Sequence, residues 1–139
     1  MQQLTTLLVF VHVAANLVWI GSILAVAFVL SGPAGDAKTR GALGVEVYAK
    51  LAVPAFVISF LGGSARLVLN VHDYFVATHW MHGKLAFALA VIALHHVIGG
   101  RAKRMAAGTK DGPGPASTLA VILLLAATAA ALLAILRPF

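Results

Sequence analysis

The chain has 139 residues, 61% of them hydrophobic and only 10% charged, with a mean hydropathy of +0.98 and a formal net charge of +6. A soluble globular domain carries about 25% charged residues, so this composition excludes one. The absence of cysteine excludes disulfides, thiolate-held metals and iron–sulfur clusters.

A helix crosses the roughly 30 Å hydrocarbon core with about 20 apolar residues, and four stretches reach that length. The first runs over roughly residues 4–30. Residues 1–10 hold no Lys or Arg and the apolar run outlasts the core of a signal peptide, so a retained helix is expected. On it His12, Asn16 and Trp19 stand at i, i+4 and i+7 and share a face. The second helix is expected over 48–69. It contains Pro54, which predicts a kink, then Ser59, Gly62, Gly63 and Ser64, small residues that let another helix or a flat cofactor come close. The third is expected over 80–100, with His82 and Lys84 near its start and His95 and His96 near its end. The fourth is expected over 117–136, Ala- and Leu-rich, with Ser117 as a candidate cap and no chemistry of its own. The Gly-rich, charged stretches 31–46 and 106–117 read as water-exposed turns. The fold class is all-α, an integral membrane four-helix bundle of up-and-down connectivity, with residues 1–139 as one domain.

The basic residues follow topology. Lys38, Arg40, Lys50, Arg101, Lys103, Arg104 and Lys110 fall at one end of such a bundle, and Arg66, Lys84 and Arg137 at the other. The positive-inside rule puts the first set in the cytoplasm and both termini outside, periplasmic in a bacterial inner membrane. The charge therefore meets lipid headgroups rather than nucleic acid.

Ionisable residues inside a bilayer are costly and are functional candidates by default. His12 either bonds a neighbouring backbone carbonyl as a structural residue or, the reading preferred here, holds a metal or haem, because neutral imidazole binds iron and copper. By depth its nearest partner is His82, with His95 or His96 as alternatives. His82 and His96 are separated by roughly 21 Å along their helix. No facing pair of histidines exists for a second haem, so at most one is expected. Arg66 and Lys84 either snorkel to the interface or pair with an anionic ligand at the outer side, since no acidic residue lies within any helix and Asp73 is the nearest possible partner. Asn16 and Trp19 belong to the same candidate cofactor site.

Several residues stand in an order that resembles a known family. They are His12, Trp19 and Gly21; Tyr48 and Pro54 with Gly62; Trp80, His82, Lys84 and Leu85; His95 and His96; and the closing Arg137, Pro138 and Phe139. The set resembles the HemJ type of protoporphyrinogen oxidase and, more broadly, membrane proteins related to the CopD copper-resistance domain. The HemJ resemblance covers nearly the whole chain. It implies a four-helix haem b protein that oxidises protoporphyrinogen IX, a tetrapyrrole, and passes electrons to quinone. It carries haem ligation to His12, a catalytic role to Lys84, and places His82 in the same site. HemJ proteins usually carry an Arg in the second half of helix 1 and an Asn-Glu pair before helix 4. Here those stretches read SILAVAFVL and GPGPASTLAV.

Two other readings use different residues. A CopD-like copper-handling protein would use His72, His79 and His82 with the Met81 thioether. A homo-oligomer or an accessory subunit of a larger membrane complex would need only the helices.

Overall fold

A computed structural model describes the backbone of residues 2–137. Four helices long and apolar enough to span a membrane dominate it: α1 (Gln2–Ser31), α2 (Ala37–Leu69), α4 (Trp80–Ala106) and α5 (Ala116–Leu136). A single short helix, α3 (Val71–Phe75), lies in the connection between α2 and α4. The chain is an all-α membrane bundle. Its large exposed side chains are apolar, among them Leu17, Phe28 and Ile135, each more than 70% exposed. That surface is suited to lipid rather than water.

Two helices outrun their apolar stretches. Residues 37–47 are helical, not part of a turn, and α4 continues to Ala106. Asp36 starts α2 by accepting the Thr39 backbone N–H at 2.7 Å, a side-chain cap for a donor the helix leaves unpaired. The extension is then held by close packing. Gly41 lies against the Met105–Ala106 backbone and Gly44 against Leu30 and Ala102. A Gly at left-handed φ, Gly108, ends α4. Ser117 is not the cap of α5. The cap position is Pro115, and the Ser117 hydroxyl meets Ser31 at 2.7 Å. That contact holds the α1–α2 and α4–α5 connections at the same end of the bundle.

Pro54 produces a local change in winding. Residues Tyr48–Ala52 form a π-turn inside α2, and the Val53 N–H reaches the Tyr48 carbonyl. Such turns absorb a disturbed hydrogen-bond ladder without breaking the helix.

The interior is unequal along its length. Trp19, Ile23, Leu30, Tyr48, Ile98, Met105 and Leu123 make a packed core in the half nearest the α1–α2 connection. There Ala37–Val47 of α2 packs on α4. Beyond the π-turn, Val53–Leu69 packs mainly on α1, with Phe56 reaching His95 and His96 of α4. The opposite half holds a smaller apolar cluster of Tyr74, Trp80 and Met81, with Leu67, Phe75, Leu85 and Ala134 packed on it.

Candidate functional site

His12 and Asn16 lie one turn apart on α1, opposite Ser59 of α2. The His12 Nδ1 lies 2.7 Å from the Ser59 carbonyl, which can only accept, so Nδ1 carries the proton and donates. Nε2 then keeps its lone pair and accepts from the Asn16 Nδ2 at 3.1 Å. The Ser59 hydroxyl closes the triangle by donating to Asn16 Oδ1 at 3.0 Å. It also lies 3.3 Å from His12 Nδ1. Ser59 is 1% exposed. Glycines make the approach possible. A methyl group on Gly63 would lie 2.8 Å from His12 Cε1, and Gly62 faces the His12 backbone.

Arg66 and Lys84, expected near this site, gather with Arg137 around the Tyr74 and Trp80 rings. Lys84 of α4 lies within electrostatic range of His12, Arg66 and Arg137. Arg66 rides on the Tyr74 ring at 6.0 Å, and Lys84 and Arg137 on the Trp80 ring at 5.8 and 5.4 Å. Ring faces attract cations but do not neutralise them. No carboxylate pairs with any of the three among the described residues. The ion pairs there are Lys50 with Glu46 and the exposed His72 with Asp73. Arg66 Nη1 is buried with no hydrogen-bond partner among the described residues.

His82 does not join His12 through any hydrogen bond or ring contact among the described residues. It is exposed, 3.2 Å from the His79 carbonyl, and its ring lies against Phe75 and His79. No three His, Asp or Glu side chains converge on a common point among the described residues. Pro138 and Phe139, which close the family pattern, lie outside the described residues.

Trp19 turns to a second polar cluster in the packed half. Its indole N–H donates to His95 Nδ1 at 3.0 Å, and His95 is fully buried. His95 Nε2 lies 3.2 Å from the Tyr48 hydroxyl, which lies 3.4 Å from His96 Nδ1. Phe56 packs against Trp19, His95 and His96.

No family model, curated protein or solved structure matches the chain. The site's chemistry then rests on its own atoms.

Sequence reasoning placed His12, Asn16, Arg66 and Lys84 in one region, and the structure brings them to the same half of the bundle. It missed Ser59, Tyr48 and Phe56 as partners. For Tyr48 the signals were its place in the family pattern and its position six residues before Pro54, where a disturbed helix could aim it inward.

Proposed function

We propose that this protein is a haem b-binding redox protein of the bacterial plasma membrane, resembling the HemJ type of protoporphyrinogen IX oxidase. One observation carries the reading. A neutral imidazole with its lone pair on Nε2 lies in the same half of the bundle as a cluster of cations that has no anionic partner among the described residues.

The donor set fits the group. A metal-binding His usually gives its other N–H to a carbonyl or carboxylate, which fixes its tautomer and orientation, and the Ser59 carbonyl does this for His12. Asn16 now caps the lone pair and would turn aside, with Ser59 as its remaining partner. Gly62 and Gly63 keep the wall beside the imidazole flat. Arg66 and Lys84 supply paired cations for the carboxylates of a tetrapyrrole, and Arg is shaped for a two-point contact. Haem b supplies one-electron chemistry when bound. Lys84 is the residue we assign to an anionic tetrapyrrole substrate, with quinone as the electron acceptor implied by the resemblance. His12 is the protein ligand in this reading, and His82 stands apart from it.

Both termini face the periplasm in this proposal, because the basic residues concentrate at the end holding the α1–α2 and α4–α5 connections.

The test is a pyridine haemochrome spectrum of protein purified from cells supplied with a haem precursor. We expect a Soret band in the wild type and in His82→Ala, and its loss in His12→Ala. No haem in the wild type, or unchanged haem in His12→Ala, would reject the reading.

A further inference from the structure

We infer that Arg137, at the end of α5, is the third member of the cation cluster, and that the three cations together select a ligand bearing two carboxylates. The inference rests on the function proposed above and deepens it.

α5 carries no charged residue from Ala116 to Leu136. Arg137 follows it directly, with φ 44° and ψ 59°, and is the one non-glycine residue of positive φ among the described residues. Left-handed backbone is costly for a residue with a Cβ and at helix ends is usually given to glycine. The Arg137 N–H still bonds the Leu133 carbonyl at 3.1 Å. Residues strained in this way collect at ligand sites. Here the turn sets the guanidinium 5.4 Å from the centre of the Trp80 ring.

The Trp80 ring is buried and already carries the Lys84 ammonium at 5.8 Å. Arg66 stands on Tyr74 at 6.0 Å, and the two rings meet edge to face with centroids 5.4 Å apart. Three like charges on two adjoining rings repel, and more strongly where the dielectric is lower than that of water. The sequence holds four acidic residues, and none of their carboxylates offsets the cluster. Asp36 caps α2, Glu46 pairs with Lys50, and Asp111 lies in the α4–α5 connection at the other end of the bundle. The Asp73 side chain is 75% exposed and lies 3.8 Å from His72. Arg66 Nη1, buried and without a partner among the described residues, is a donor in place for an incoming oxygen.

A single carboxylate would leave two of the three cations uncompensated. The cations also divide, one on Tyr74 and two on Trp80, which matches two acceptor groups rather than one. An Arg fork takes a carboxylate through two parallel N–H bonds. Tetrapyrroles with paired propionate side chains are the class that fits. Their iron-free forms keep both carboxylates, so this contact does not need His12.

The experiment uses that independence. The full chain in phosphatidylcholine nanodiscs is titrated with metal-free protoporphyrin IX and, separately, with its dimethyl ester. Quenching of tryptophan emission by the porphyrin reads binding, because Trp80 lies in the cluster. We expect the wild type to bind the diacid roughly 100-fold more tightly than the ester, about what two charged hydrogen-bonded contacts supply. Arg137→Gln should weaken diacid binding by about tenfold and leave ester binding unchanged. Each comparison is a ratio, in which partition into lipid cancels. Equal binding of diacid and ester by the wild type, or an unchanged diacid affinity in Arg137→Gln, overturns the proposal. An equal loss for both ligands would make Arg137 a structural residue and overturn it as well. A second set of nanodiscs contains phosphatidylglycerol. The diacid preference should persist there, and its disappearance would mark the cluster as a lipid-phosphate site and sink the proposal. Haem in the wild type without diacid preference removes this inference alone. Diacid preference without haem removes the His12 reading alone.

Discussion

Ser59 holds two partners with two different atoms. Its carbonyl accepts from His12, and its hydroxyl donates to Asn16. Ser59→Ala keeps the first bond and removes the second. Side-chain hydrogen bonds between membrane helices average about 0.6 kcal/mol and reach about 1.7 kcal/mol. Unfolding in mixed micelles should show a loss in that range, with haem binding by His12 retained. Asp36 offers a pH-dependent counterpart in the water phase. The Thr39 backbone N–H, with Arg40 and Lys38 contributing less, holds its carboxyl below the ordinary range. A depressed carboxyl stabilises the fold above its unfolded pKa, and the gain disappears as pH falls through the folded value. Asp36→Ala should therefore lower the melting temperature at neutral pH and have no effect once wild-type Asp36 is protonated. A difference that persists in acid would show that the cap does not act through the charge. At this scale the sequence revealed which residue types were out of place in a bilayer, because an ionisable group in an apolar run is costly wherever it points. It did not reveal their partners. Ser59 is an ordinary small residue until His12 lies against it.

At the scale of elements, the helix lengths turned on contacts that hydropathy does not record. Residues 37–47 are glycine-containing and charged, which is the composition of a turn, yet they are helical because Asp36 caps them and α4 covers their Gly41 and Gly44 face. Glycine weakens an isolated helix by roughly 0.5–1 kcal/mol relative to alanine; here each glycine instead allows two backbones to meet. Gly99 serves the Tyr48 ring in the same way. Gly99→Ala should cost about 1–3 kcal/mol by overpacking, whereas Gly100→Ala, with open space at its Cβ, should be neutral or slightly stabilising. Thermal denaturation of the two variants side by side is the check. Equal melting temperatures would mean that the Tyr48 ring yields to the added methyl. The π-turn before Pro54 belongs to this scale too. The proline predicts a disturbance, but only the fold shows that it is absorbed as a wide turn beginning at Tyr48.

Across the whole molecule, seven basic residues lie toward one end and three toward the other, out of ten in the sequence. Alkaline phosphatase fused after Arg137 should be active, and fused after Lys110 inactive, if the more basic end faces the cytoplasm. The reverse pattern would invert the proposed orientation and put the cation cluster on the cytoplasmic side. The core is unequal, with apolar side chains filling the half around Ile23, Ile98 and Leu123.

The sequence by itself determined that the chain crosses the membrane four times, where those crossings lie, and which polar residues they carry inward. Partition into hydrocarbon depends on local composition over about 20 residues, so a linear reading suffices for it. Only the tertiary structure decided which of those polar residues meet. His12 finds Ser59 at a separation of 47 residues, and Trp19 finds His95 at 76. Such pairings depend on how whole helices rotate and approach, and that is set by glycine contacts, a cap and a π-turn acting together. Helix periodicity placed Trp19 on the His12 face, but the packing of α4 assigned its indole N–H to His95 and left Asn16 and Ser59 to hold the imidazole.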